Sequence, residues 1–368
     1  MGYTMEGKKP YLAALLVQAI YACMFLLSKA AFDVGMNNFV FVFYRQTTAT
    51  VFLAPLAIYF EWKGRPRMSF LTFCKIFFIS LCGITLSLDI YGVALVYTNA
   101  TLAASITNTL PVITFFLAVL LRMETLKLRS LSGLAKLVGT MLCLGGAAVF
   151  AFYKGPSTRL WSHHSSAHDI EQKQDGFSGT TWIKGCFLML ISNTCWALWM
   201  VLQGRIIKSY PSKLLLTTLQ CFLSSIQSLL IAAPFVKDPT QWRLGWNVKL
   251  VAVAYCGVVV TGVTYYLQSW IIEKRGPVFL AMSMPLNLVI TTAVSALVLC
   301  EVVTLGSGIG GVLLIGGLYS VLWGKSKEQD IQCFEEVDKK DCSQVVKGDG
   351  DEEEAKVKEA TDTTDMPV

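Results

Sequence analysis

The chain has 368 residues, of which 54% are hydrophobic and 15% charged, with a formal net charge of +6 and a mean hydropathy of +0.54. Soluble domains carry about 25% charged residues, so a soluble enzyme is excluded. Nucleic-acid binding is excluded too, because the basic residues fall in short gaps between apolar runs, as the loops of a membrane protein do.

A bilayer core needs about 20 apolar residues per helix, and ten runs supply them: 11–32, 38–60, 70–96, 100–121, 130–152, 182–203, 213–235, 248–271, 278–300 and 306–323. The first follows Lys8 and Lys9 and exceeds the roughly 7–15 residues of a signal-peptide core, so it reads as a spanning helix. On it, Gln18 and Tyr21 share one face, an amide one turn from an aromatic, which suits either a solute cavity or helix packing. Lys29, near the outer end, reads as a snorkelling cation. Arg45 in the second run and Asp89 in the third each lie roughly 10 Å from the outer end by helical rise, depths at which they can pair. Two readings stand: a carboxylate anchor at Arg45 with a substrate-ammonium or proton site at Asp89, or an ion pair locking two helices. Pro111 breaks the fourth run beside Asn108, and discontinuous helices mark transporter binding sites. In the fifth run Lys136 is expected to snorkel more strongly than Lys29.

Residues 153–181 form the one long internal loop, with His163, His164 and His168 in a solvated stretch. In the sixth run Asn193 and Trp196 repeat Gln18 and Tyr21 at an offset of 175 (193 − 18). The ninth run is broken by Pro285 beside Asn287. From Lys325 to Val368 there are fourteen acidic residues against seven lysines, and this tail is expected to be disordered. The eleven cysteines show no metal-ligand spacing and no disulfide pair in a loop. Gly324-Lys325-Ser326 imitates the end of a phosphate-binding loop but lacks its earlier glycine, where Tyr319 stands.

One spacing occurs twice: Glu124, Leu128, Ser130, Gly133, Gly139, and again Glu301, Leu305, Ser307, Gly310, Gly316, offset by 177 residues (301 − 124). Its serines suit helix N-caps and its glycines allow close helix approach, so the motif reads as structural. The chain therefore divides into a first repeat at 8–152, a linker at 153–181, a second repeat at 182–324 and a tail at 325–368. With the N-terminus inside, fifteen basic residues fall in inner loops and five in outer ones, which places both termini in the cytoplasm. Five helices is an odd number, so the repeats enter the membrane with opposite polarity. The fold expected is all-α, ten transmembrane helices in two inverted five-helix repeats.

The segment Asn108-Thr-Leu-Pro111 through Glu124, followed by Gly-Leu-Ala-Lys136-Leu-Val-Gly139, resembles the first repeat of EamA-type drug/metabolite transporters. Tyr210-Pro211, Gly276-Pro277-Val278-Phe279 and Gly317-Leu-Tyr-Ser-Val-Leu-Trp-Gly-Lys325 resemble the plant branch. That branch is the nodulin-21-like, Walls-Are-Thin-related group, also called usually-multiple-acids-move-in-and-out transporters. The resemblance covers about residues 8–326. It implies facilitated transport of amino acids, with auxin carried by some relatives, a cavity lined by helices one to four and six to nine, and peripheral helices five and ten. Asp89 departs from the neutral amide that many members carry in the third helix.

The expected function is thus secondary or facilitative transport of amino acids or related small organic acids by alternating access, with auxin or another plant metabolite as the alternative substrate. The candidate binding residues are Gln18, Tyr21, Arg45, Asp89, Asn108, Asn193, Trp196 and Asn287. The reading from another class is a non-transporting scaffold that acts through the acidic tail. No enzyme activity, cofactor or metal is expected. The partners are a small-molecule substrate, the lipid bilayer and a second copy in a homodimer, and the membrane is the plasma membrane rather than the vacuolar one.

Overall fold

The structure, a computed structural model, describes residues 3–61, 64, 68–97, 106–123, 130–153, 157–158, 179–298, 303–304, 308–324 and 326–327. Glu124, Glu301 and Ser307, the three histidines and the tail beyond Lys327 lie outside these residues.

Among the described residues ten apolar helical segments appear, one at each expected run. They are α1 (Tyr3–Asp33), α2 (Asn38–Glu61), α3 (Phe70–Ile79, Ser80–Leu86 and Ser87–Tyr97 in continuous succession), α4 (Leu110–Leu120) and α5 (Leu131–Phe152). The second set is α6 (Gly179–Ser209), α7 (Lys213–Phe235), α8 (Val248–Tyr255, Cys256–Val263 and Thr264–Arg275), α9 (Pro277–Ser283 and Pro285–Val298) and α10 (Gly308–Gly324). Two-residue strands β1 (Ser157–Thr158) and β2 (Val303–Thr304) pair antiparallel, so the end of α5 and the start of α10 lie at one end of the molecule.

Both third helices of the repeats, α3 and α8, turn π-helical in the middle, over Ser80–Leu86 and Cys256–Val263. Such turns concentrate at functional sites. Each carries a glycine with no room for a side chain: Gly83 lies directly on Trp199 of α6, and a Cβ at Gly257 would come 3.0 Å from the Arg45 carbonyl of α2.

The surface is apolar, and the interior sets buried polar side chains among an apolar core. Phe70, Tyr59 and Val312 are 81%, 82% and 71% exposed, whereas Gln18, Gln46, Gln203, Gln220 and Gln268 are fully buried. The two repeats interlock. Helices α2 and α7 run antiparallel along their length, from the stacked rings of Phe39 and Phe235 (5.3 Å) through Thr47 and Ser225 (2.7 Å) to Glu61. The Glu61 carboxylate accepts from Leu214 N and Leu215 N (3.4 and 3.0 Å), an anion on the positive end of α7. At that end Arg205 donates to the Leu121 carbonyl, Lys213 pairs with Glu273 (2.8 Å), and Arg275 lies over the Tyr11 ring. At the other end Asn37 bonds Gln241 (3.0 Å) and Tyr44 donates to the Trp242 carbonyl (2.7 Å).

Helices α5 and α10 pack against each other in antiparallel fashion. A Cβ at Gly139 would lie 2.6 Å from the Gly317 carbonyl, and one at Gly146 3.0 Å from the Gly310 carbonyl. Ser130 caps α5 by accepting from Gly133 N (3.1 Å). Two expectations need correction here. Gly316 has nothing within 4 Å, and its neighbour Gly317 makes the close approach instead, because α10 turns position 317 toward α5. Lys136 does not snorkel: it is 1% exposed, since the C-terminal end of α10 lies over it, and a Cβ at Gly324 would come 3.3 Å from its Cγ. The carbonyl-rich end of a helix is a favourable place for a cation.

Candidate functional site

On α8, Thr261, Tyr265 and Gln268 follow the i, i+4, i+7 spacing that shares one helix face. All three are fully buried. Each meets a different helix. Arg45 of α2 donates from Nε to Thr261 Oγ1 (2.6 Å). Tyr265 packs on Trp196 and Trp199 of α6, with ring centroids at 5.8 and 5.6 Å, and the two indoles stack at 5.1 Å. Gln268 Nε2 donates to the Tyr21 hydroxyl of α1 (2.9 Å). The stripe thus gathers one cation, two stacked indoles with Tyr265 tilted against them, and the Tyr21 hydroxyl, from both repeats. Behind it, Gln203 and Gln220 exchange hydrogen bonds, and Gln203 also reaches Ser269 (2.9 Å).

Thr261 lies at the middle of α8, thirteen residues from Val248 and fourteen from Arg275. Arg45 is therefore engaged near the midplane, where secondary transporters bind substrate. It is 4% exposed, and among the described residues it forms no ion pair. Other polar atoms here are open. Gln18 Oε1, Gln268 Oε1 and the Trp199 indole nitrogen are buried without a hydrogen bond, and the Tyr265 hydroxyl faces the Gln46 amide without a well-formed bond. The orientation of the Gln18 amide is fixed by chemistry: Ser283 gives its proton to the Leu280 carbonyl (2.7 Å), so it must accept from Gln18 Nε2 (2.9 Å).

The expected ion pair between Arg45 and Asp89 is absent. Asp89 is 4% exposed and neither carboxylate oxygen has a partner among the described residues. The reason is register. Equal depth assumed that α2 and α3 end level, but Asn38, at the start of α2, packs on Gly92 of α3. Asp89 then lies one turn inward of that contact and Arg45 two turns, roughly 6 Å apart along the axis by helical rise.

The remaining candidates divide. Asn193 donates to the Ile106 carbonyl (2.7 Å), just ahead of the Asn108–Thr109 turn that precedes Pro111. Gln18 reaches Ser283, just ahead of Pro285. The first-helix amide of each repeat thus binds the broken fourth helix of the other. Asn108 is buried at its turn. Asn287 accepts from Thr291 one turn along its own helix (3.1 Å) and does not join the Arg45 cluster. Gln46, Trp199, Thr261, Tyr265 and Gln268 escaped the sequence reading. The signal for the last three is a polar stripe at i, i+4 and i+7 on an apolar helix, present in the sequence.

Residues 8–152 and 183–323 each match the EamA-like transporter family. The WAT1-related protein At5g64700 of Arabidopsis thaliana is 57% identical over 93% of this chain and 97% of its own length. A second Arabidopsis thaliana protein, WAT1-related protein At1g43650, is 47% identical over 90% of this chain and 96% of its own. A solved crystal structure, 16% identical, superposes with a TM-score of 0.62 over 85% of this chain and 97% of the other, a likeness of fold alone. The chain is a multi-pass membrane transporter, not an enzyme, and it belongs to the plant WAT1-related branch of the EamA-like transporter family.

Proposed function

We propose that this transporter carries amino acids or related small organic acids by alternating access of its two repeats. The observation that carries the reading is Arg45: a buried guanidinium near the midplane, at the contact between repeats, held by a neutral hydroxyl and facing no carboxylate among the described residues. A cation kept in that state matches an anionic group on a substrate. The open amide oxygens of Gln18 and Gln268 are acceptors for an ammonium, and the Trp196–Trp199–Tyr265 cluster offers apolar surface to the rest of the solute. The amide of each first helix, hydrogen-bonded to the other repeat's broken helix, supplies a contact that exchanges as the repeats rock. Both termini face the cytoplasm in this reading, and the membrane is the plasma membrane.

Efflux of a uniformly 14C-labelled mixture of protein amino acids from cells expressing the chain tests it. Expected is efflux well above that of cells without the protein. Absence of amino-acid flux together with flux of labelled auxin would move the reading to the alternative substrate.

A further inference from the structure

Asp89 is a second buried charge that the substrate reading does not use. It is 4% exposed, and both its oxygens lack a hydrogen bond among the described residues. By helical rise it lies about 12 Å below the Tyr97 end of α3. An unpaired carboxylate at that depth costs several kcal/mol, a cost that protonation removes. The contact geometry keeps Arg45 from relieving it, since Arg45 is engaged by Thr261 of α8.

The surroundings tie this charge to the moving parts. Two residues before it, Ser87 and Ser192 clamp α3 to α6 across the repeats, each hydroxyl bonding the other's carbonyl (3.1 and 2.8 Å). One turn beyond it, Asn38 of α2 lies against Gly92 with its Nδ2 buried and unpartnered. The ionisable groups nearest this stretch on the elements packed around it are Tyr44 and Arg45 of α2, Lys184, Cys186 and Cys195 of α6, Cys221 of α7, and Cys82, Tyr91 and Tyr97 of α3 itself; none bonds the carboxylate.

We propose that Asp89 is a proton-binding site that couples transport to a proton gradient. The carboxylate takes one proton from one side of the membrane, becoming a neutral acid that rests at the α3–α6 contact, and releases it to the other side after the repeats exchange. No bond other than the carboxyl O–H forms or breaks. With a zwitterionic substrate each cycle moves one positive charge; with a monoanion it is electroneutral. The α3–α6 contact lies between repeats, so the protonation state biases which arrangement of the two is favoured.

The test uses the purified full chain in liposomes, with the membrane potential clamped and the 14C amino-acid mixture as probe. A gradient of about one pH unit drives accumulation of up to about tenfold per proton. Expected is uphill accumulation in the wild type, abolished by a protonophore. Asp89→Asn keeps downhill flux but loses accumulation, and Asp89→Glu restores it. A wild type indifferent to the gradient, or an Asp89→Asn variant that still accumulates, overturns the proposal. A second measurement does not depend on the substrate: infrared difference spectra between acid and alkaline pH should show a carboxylic C=O band that Asp89→Asn lacks. A band unchanged in that variant also overturns the site. Complete absence of flux in the wild type would count against the amino-acid reading, and the infrared titration would still decide the proton site.

Discussion

The two halves of the molecule agree in mechanics and differ in charge. Each has a π-helical turn midway along its third helix, a fourth helix interrupted ahead of a proline, and a first-helix amide bonded across to the other half's interruption. The charges have no such twin. The stretch of α7 that corresponds to Arg45, Gln220 to Leu223, holds no charged residue, nor does the stretch of α8 that corresponds to Asp89, Thr264 to Leu267. A substrate with an anionic group at one end and something else at the other has no twofold symmetry, so its site must break the symmetry of the duplication. The shared features are backbone breaks and contacts between the halves, and the unshared ones are the charges that the proposed function and the proton-site proposal use.

The largest effect that tests this division is expected at Arg45. Arg45→Gln should lower flux at least about 30-fold, the scale of truncating one partner of a buried charged contact. Arg45→Lys should recover part of it, because a point charge replaces a planar fork. Labelled efflux reads both, and a second-half substitution such as Phe222→Leu should leave flux near wild type. An equal loss in the two would break the comparison.

The paired helices α5 and α10 give the next effect. Gly317→Leu should cost about 1–3 kcal/mol through overpacking against Cys143 and Gly139, while Gly316→Ala, facing open space, should be neutral or stabilising by up to ~1 kcal/mol. Thermal melting of the purified protein separates them.

The two amide contacts should differ in kind. Asn193→Leu deprives a backbone carbonyl at a helix break and should cost about 1–3 kcal/mol. Gln18→Leu leaves Ser283 still donating to Leu280 and should cost less than about 1 kcal/mol, yet it should lower flux. Comparable melting temperatures for the two variants would count against the contrast.

The smallest effect lies outside the spans. The Thr240 hydroxyl and backbone N–H, both bonded to the Asp238 carboxylate, hold it below the ordinary carboxylate value of 3.8. A depressed folded value stabilises the fold above the unfolded value and loses that contribution as pH falls through the folded one. Asp238→Asn should therefore lower the melting temperature slightly at neutral pH and flatten its acid-side decline, the two proteins converging in acid.

Much of the architecture was legible because hydropathy acts at the scale of whole helices. All ten runs hold a helix, and the breaks at Pro111 and Pro285 fall where the prolines stand. The site was less legible because it depends on register between helices. Arg45 and Asp89 were both recognised as costly charges, yet their pairing rested on level helix ends, and the seating of Asn38 on Gly92 displaces one from the other. The stripe of Thr261, Tyr265 and Gln268 has the regular helical spacing, but its partners come from α1, α2 and α6, which spacing along one helix does not reveal. Lys136 shows a third limit: whether a long cation snorkels depends on what lies over it, here the end of a helix nearly two hundred residues later in the chain.

The matching π turns also speak to history. Two insertions at the same register, in helices that run in opposite directions, are most simply explained by one event in a five-helix ancestor that assembled as an antiparallel pair. On that account the glycine seam between α5 and α10 is a former subunit boundary, kept as a joint inside one chain.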